Sequence, residues 1–447
     1  MNGPWRLADL ADAFEGVIPS ILATSSADGV PNISYLSHVV LIDERHVALS
    51  NQFFGKTLAN LAANPQAAII VVHGITGEQF RLDAVWLGNE FSGPVFDEVE
   101  GQLRASSSQI GMEDVMRLAS VGIFRVEAIT AIDRAAGLAP AVLPPRRSRL
   151  SAAAEVVAAV GAAAEAERIV AALLDGVIAG FDAQAAALFQ LDPAGGSLVT
   201  LASRGYPATG TGSEVAMGEG IVGLAAAGRR VMRVADMSRV RRFGAAIRAS
   251  GLALGPEPPP IALPDLADAQ SRIAVPMQAR GRLYGVLFAE SRERLAFRQE
   301  DAVALELVAG HAAACLLWGE PAEEEEPVAP APAPAAAAGA GGFRILHHRH
   351  DDSVFINNDY LIRGVAGRLL VWLLESHLRE GRLEFSNREI RLAPALRLPD
   401  YKDNLETRLL LLRQRLEERA APVQLERAGR GLVRLRLQGR PRIETSG

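Results

Sequence analysis

The sequence predicts a multidomain chain: an antiparallel β barrel, then an α+β unit, then a helical unit flanked by hairpins. Three observations predict it. At 447 residues, the chain is long enough for about two to four domains. Two low-complexity stretches break it, "GLAPAVLPPRRS" at 137–148 and "PAEEEEPVAPAPAPAAAAGAGG" at 321–342. The segments between them differ in period, being strand-rich, mixed and helix-rich in turn.

Residues 1–136 carry the strand chemistry. "SILATS" is a strand, and Asp28-Gly29 is a turn signal. "PNISYLSHVVLI" and "VALSN" are further strands on either side of the turn "DERH". "KTLANLAANP" is a short helix with Leu58 and Leu61 on one face, stopped at Pro65. "QAAIIVVH", "FRLDAVWLGN" and "VGIFRVEAITAID" complete a set of hairpin-linked strands that suits a small barrel.

Residues 150–320 follow the 137–149 linker. "AAEAERIVAALLDGVIAGF" places Ile169, Leu173, Val177 and Ile178 on one helical face. "AQAAALFQLDPAGGSLVTLASRG" reads as a hairpin turning at Gly195-Gly196. "SRIAVPMQARGRLYGVLFAES" is a hairpin turning at Arg280-Gly281, and "FRQEDAVALELVAGHAAACLL" is a closing helix. The Pro-rich insertion 252–270 has two readings, a lid or a plain loop. Asp236 also has two, facing a ligand or ending its strand.

The 321–342 linker has no apolar periodicity, and its alternating prolines favour extended, semi-stiff chain. It is expected to leave the last hundred residues mobile relative to the rest. Residues 343–440 then give a hairpin, "DSVFINNDYLIRGV", and a helix striped with Leu369, Leu370, Leu373 and Leu374 that Gly381 ends. Ser386 and Glu389 form a capping-box pattern. "DNLETRLLLLRQRLEE" is a longer helix with Leu405, Leu409, Leu412 and Leu416 on one face. Arg408 and Arg415 share another face with Leu411, which is expected to be exposed. "VQLERAGRGLVRLRL" is a basic hairpin.

Composition narrows the function. Cys315 is the single cysteine, which excludes an internal disulfide framework and a Cys-rich zinc site and fits a reducing compartment. No apolar run reaches the roughly 18–20 residues of a membrane helix. The N-terminal stretch "MNGPWRLADLADAFEG" lacks a signal-peptide apolar region. A cytoplasmic protein with no membrane partner is expected. Residues 343–447 hold 20 basic and 14 acidic residues, a balance of +6, whereas the whole chain is −6 and the remainder −12. A basic end on an acidic chain suggests a nucleic-acid or acidic-partner module. "LHHRHDD" at 346–352 matches no standard zinc spacing and reads as a solvated linker end.

One triplet stands out. "SNQFFGKTL" at 50–58 contains Gly55-Lys56-Thr57, yet the phosphate-binding P-loop needs a glycine where Ser50 stands. Only Lys56 and Lys402 are lysine among 46 cations, so Lys56 is an unusual choice in this background. A helix start with free N–H groups and a mobile ammonium suits an anion.

The order strand, "GVPNISYLS", strand, "SN", then "GKTLANLAANPQAAI" resembles the FMN-binding split barrel of pyridoxamine 5′-phosphate oxidase and its relatives, over about residues 10–133. The resemblance implies that Lys56 and Thr57 hold the FMN phosphate. Ser50 and Asn51 would bond to phosphate or ribityl oxygens, and Ser37, His38 and Val39 would border the ring. It also implies a homodimer with the cofactor between subunits. Haem is the other cofactor that such a barrel could hold. The sequence departs from family oxidases in placing Gly55 before Lys56 and in lacking a late pair of basic residues for a phosphorylated substrate. No catalytic residue is therefore assigned.

"GEGIVGLAAAGRRV", "VPM…GRLYGVLFAES" and "FRQEDAVALELVAG" resemble GAF domains, α+β sensory modules, which implies an unnamed small-molecule ligand. Cys315 lies in the last helix, which excludes a covalent bilin in the pocket. The last segment resembles the winged-helix output domains of bacterial response regulators. That resemblance implies double-stranded DNA as partner, with Arg408 and Arg415 in the groove-facing helix and Arg430 on the wing. The expected fold class is thus a β split barrel, an α+β GAF domain and a C-terminal winged helix. The expected function is a bacterial signalling or transcription regulator. The alternatives are an FMN-dependent oxidoreductase with regulatory domains and a ligand-free oligomeric scaffold. A winged helix used for protein contacts is the rival to DNA binding.

Overall fold

The computed structural model describes residues 5–16, 18–36, 38–51, 55–108, 117–132, 146–192, 196–237, 261–318, 342–396, 405–429 and 431–446. Ser37, Arg430 and most of both linkers lie outside the described residues.

The first domain is a curled, wholly antiparallel seven-stranded sheet. Its strands are β1 (Ser20–Ser25), β2 (Pro31–Leu36), β3 (Val39–Leu41), β4 (His46–Asn51), β5 (Gln66–Val72), β6 (Gln79–Glu90) and β7 (Ser120–Ile132). They lie in the order β2-β1-β5-β6-β7-β4-β3. β6 and β7 are long enough to span the sheet because bulges bend them, one of them at Gly88, whose φ of +144° needs glycine. Helix α1 (Gly55–Ala63) follows β4, where "KTLANLAANP" predicts it. A 3-10 helix, Leu7–Phe14, buries Leu7, Leu10 and Ala13 against the barrel core with Leu22, Val39 and Ile69.

A second helix, α2 (Pro94–Ser108), was not expected from the sequence. Its signals are Pro94 at the first helical position and Val99 and Leu103 buried four residues apart. It packs on both domains, with Val99 beside Ala48 and Val121 of the barrel and Ala105 against the middle domain.

The middle domain opens with two helices, α3 (Arg149–Ala162) and α4 (Ala166–Gly180), of which the sequence predicts only the second. α3 is alanine-rich and shows little contrast between its faces. Its sheet has strands β8 (Ala185–Leu191), β9 (Ser197–Arg204), β10 (Glu214–Ala216), β11 (Met232–Val234), β12 (Ser271–Ala279) and β13 (Arg282–Ser291), in the order β10-β9-β8-β13-β12-β11. α5 (Gly220–Gly228) covers one face, while α3, α4 and α6 (Gln299–Trp318) cover the other. α6 is long and apolar enough to cross a membrane, but half of its most apolar window is buried inside this domain.

The third domain contains β14 (Gly342–His348), β15 (Ser353–Ile356), β16 (Asp359–Ile362), α7 (Gly364–Glu380), β17 (Glu384–Ser386), α8 (Asn387–Leu392), α9 (Leu405–Glu418), β18 (Val423–Gly429), β19 (Leu432–Leu437) and β20 (Arg440–Ser446). Gly381 ends α7 with φ +72°, and its N–H bonds to the His377 carbonyl at 2.7 Å. Ser386 Oγ accepts from the Glu389 N–H at 3.1 Å, as the capping pattern predicts. β20 lies beyond the expected boundary at 440 and pairs in parallel with β14.

The three domains touch. Asp12 of the barrel bonds to Arg298 at 2.5 Å, and Glu15 to Arg233 at 2.5 Å. Ala105 of α2 joins the apolar cluster formed by Phe189, Ile221, Met232 and Val286. α2 approaches this closely because residue 101 is glycine: a Cβ there would lie 3.0 Å from both Arg230 Nε and Met232 Cε. The third domain shares one continuous apolar cluster with the middle domain. The independence expected of the last hundred residues is therefore not what the structure has: apolar burial ties them to the middle domain.

Candidate functional site

The Gly-Lys-Thr triplet forms the first turn of α1. Lys56 is exposed, and Thr57 is buried. Thr57 Oγ1 lies 2.6 Å from Ser34 Oγ and accepts from Asn32 Nδ2 at 3.1 Å, so the helix start is pinned to β2. Asn60, one turn on, donates to Thr24 Oγ1 at 3.2 Å. The first-turn amides have no intrahelical partner, and they lie beside an exposed ammonium on a fixed base.

Ser50 and His38 are joined. Ser50 Oγ accepts from the His38 N–H at 3.2 Å, and the Ser50 N–H donates to the His38 carbonyl at 3.2 Å. Asn51 Nδ2 donates to Ser120 Oγ at 2.8 Å, tying the end of β4 to β7. The structure thus gathers Ser50, Asn51, Lys56 and Thr57 around the passage from β4 into α1. Ser37 lies outside the described residues. Val39 is displaced from its expected role. Strand alternation turns it into the barrel core beside Leu7 and Leu10, while His38 and Val40 line the other side. Asn32 and Ser34 were missed. Their signal was the polar alternation of "PNISYL", which puts both on one face of β2.

In the middle domain, Glu290 on β13 is fully buried. It is 2.7 Å from Arg272 Nε, and its Oε2 accepts from the Leu266 N–H at 3.1 Å. Burial against the Glu290 carboxylate pushes the Tyr206 phenol well above its ordinary value. This cluster pins residues 261–270, the described end of the Pro-rich insertion, onto the sheet, with Leu266 and Ala269 packed beside Tyr206. Asp236 pairs with Arg294 at 2.8 Å.

Two family models match the chain. Residues 8–134 match the pyridoxamine 5′-phosphate oxidase model, and residues 163–317 match the GAF domain model. The chain carries an oxidase-type split barrel followed by a GAF domain. No curated protein matches it. Among solved structures, the chain is similar to an FMN-binding protein from Syntrophomonas wolfei subsp. wolfei, at 17% identity over 28% of this chain and 87% of that one, with a TM-score of 0.25. It is also similar to a Group A Streptococcus HupZ protein, at 20% identity over 28% and 92%, TM-score 0.23. A third is the GAF domain of a phosphoenolpyruvate-protein phosphotransferase from Coxiella burnetii, at 22% identity over 37% and 90%, TM-score 0.30.

The GAF domain receives α9 of the third domain directly. Gln190 Nε2 of β8 donates to Thr407 Oγ1 at 3.0 Å, with both residues buried. Arg413 pairs with Glu167, and Arg427 with Glu165 at 2.5 Å. Arg363 pairs with Glu214, and Thr209 donates to Glu418. Arg415 donates from Nε to the Leu361 carbonyl at 2.8 Å and pairs with Glu418 at 3.2 Å; burial lowers its pKa from the ordinary guanidinium value. Arg408 and Arg415 are 4% and 5% exposed, and Leu411 is 3% exposed. The expected groove-reading residues are therefore covered in this arrangement, and the expected exposed leucine is core. Helical periodicity does reveal a second face on α9, but not what covers it. Arg430 lies outside the described residues.

Proposed function

We propose that the chain is a sensory regulator. In this reading the barrel binds FMN, the GAF domain reads a small ligand or the flavin's state, and the third domain is a winged helix that passes the signal to double-stranded DNA. The observation that carries the transmission is the seat of α9 on the GAF domain. A helix whose basic face is buried against a sensor is exposed only when the sensor lets it go.

The barrel site fits the phosphate of FMN. Lys56 and the first-turn amides of α1 would hold the phosphate, with Thr57 fixed by Ser34 and Asn32. Ser50 and Asn51 would bond to phosphate or ribityl oxygens, and His38 would stand toward the ring. The bound flavin would supply a redox-responsive chromophore. The protein's own part is to orient it and to keep the phosphate charge neutralised. The visible spectrum of the purified protein separates flavin from haem and from an empty barrel.

Fluorescence anisotropy with a labelled duplex tests the transmission. The full chain carrying Glu165→Gln and Glu167→Gln loses the acidic partners of Arg427 and Arg413. It should bind the duplex more tightly than wild type, and both affinities should fall steeply with salt. No binding by either form at low salt would leave α9 as a protein-contact helix. The split-barrel match also supports a second reading, an FMN-dependent oxidoreductase with regulatory domains. Steady turnover of a reduced nicotinamide by the flavin-loaded protein would favour it.

A further inference from the structure

A cavity of about 550 Å³ lies between the barrel and the GAF domain. That is within the roughly 300–1,000 Å³ of small-molecule sites, which favour domain interfaces. It is separate from the phosphate grip at α1; among the described residues assigned to the flavin, only His38 lines it. Phe14, Tyr35 and Val40 supply an apolar and aromatic barrel wall. Arg233 and Asp236 come from the GAF domain, and Glu98 from α2.

Charge selects the ligand. Glu15, Asp43, Glu98 and Asp236 line the cavity, against Arg233. Arg233 is already committed: it pairs with Glu15 at 2.5 Å and donates to Gln299 Oε1 at 3.0 Å and to the Phe297 carbonyl at 3.2 Å. An anionic ligand would find no unspent guanidinium and would face the carboxylates. Asp43 is held by His46 at 2.9 Å, and Asp236 by Arg294 at 2.8 Å. Glu98 lines the cavity with an exposed side chain and has no ion pair among the described residues; partial burial raises its carboxyl above the ordinary value, against the charges of Arg233 and Arg230. A carboxylate outside any ion pair, in a cavity that also has aromatic walls, is chemistry that suits an ammonium with an apolar body.

We propose that this cavity binds an organic ammonium with an apolar body, with Glu98 taking its charge and Phe14 and Tyr35 its hydrocarbon. Such a ligand bridges two domains, so it would stiffen their junction. The site needs no flavin, and its test is read separately from the flavin spectrum.

The test uses the full chain and three probes of one shape: phenethylammonium, 2-phenylethanol and 3-phenylpropionate. Binding is followed by calorimetry and ligand-observed NMR. Phenethylammonium should bind, the alcohol more weakly, and the carboxylate not at all. Glu98→Gln should weaken the ammonium by about tenfold, the scale of one charged hydrogen bond. Ala11→Trp, which fills the cavity from the 3-10 helix, should abolish binding. Circular dichroism and melting show whether each variant keeps its fold, and Val40→Phe replaces Ala11→Trp if the latter does not. The proposal is overturned if phenethylammonium fails to bind at millimolar concentration, if the carboxylate binds as well, or if neither variant alters the affinity.

Discussion

Lys56 is a cation on a short helix whose next residue is locked to β2. Lys56→Ala should therefore leave the fold alone and weaken FMN by about 1.5–3 kcal/mol, the contribution of a hydrogen bond to a charged group. Titration by quenching of flavin fluorescence measures it; equal affinities in mutant and wild type would remove Lys56 from the site. Asp12 acts at the barrel–GAF junction. Burial pushes its carboxyl up, but the His73 hydrogen bond and the Arg298 charge outweigh this and hold it below the ordinary carboxylate value. A carboxyl depressed on folding stabilises above its unfolded pKa, and that stability is lost as pH falls through the folded value. Asp12→Asn should lower the melting midpoint at neutral pH by a few degrees. Its deficit relative to wild type should shrink on acidification through the carboxylate range. A deficit independent of pH would mean that the charge of Asp12 is idle. The position of Lys56 at an exposed helix start was legible from its neighbours. Asp12 was not, because its partners lie 61 and 286 residues away.

Helix α9 decides between two pictures of the third domain. In a free winged helix, the face of Arg408, Leu411 and Arg415 would be wet, and Leu411→Ala would change stability by less than about 0.5 kcal/mol. In the structure that face is buried, so the substitution should cost about 2–5 kcal/mol in urea unfolding. Amide exchange in α9 should accelerate with it. The existence and bounds of α9 were legible from its leucine spacing. Its orientation was not, because both faces carry leucine and periodicity cannot rank them. α2 escaped for a related reason. Its apolar stripe is narrow and interrupted by Glu98, Glu100 and Arg104, since it meets its partner domain through the small residues Gly101 and Ala105.

Across the whole molecule, the two low-complexity stretches mark three blocks in the sequence, and the family matches fall inside the first two. The docking of those blocks was hidden, since it rests on ion pairs between residues far apart in sequence, such as Glu167 with Arg413. The resemblance of the barrel implies a homodimer, and β2 offers a surface for it. Ile33 on its outer face is 66% exposed, with Val30 beside it at 53%. Val30→Asp with Ile33→Asp should convert a dimer to a monomer, as read by light scattering after gel filtration. A wild type that is already monomeric would place the cofactor site within one chain.

The parallel pairing of β14 with β20 has a practical consequence for anyone shortening this chain. Gly342 is in register with Arg440 and His348 with Ser446, so the last strand seals the outer rim of the first strand of its own domain. A fragment ended near residue 440, where the helical pattern and the basic hairpin are already complete, would look whole in sequence. It would nevertheless bare the edge of β14 that β20 covers, leaving the backbone donors and acceptors of alternate residues there unpaired. Bare rims of this kind recruit other chains. Aggregation or strand exchange in such a truncation would report the missing strand rather than a property of the intact protein.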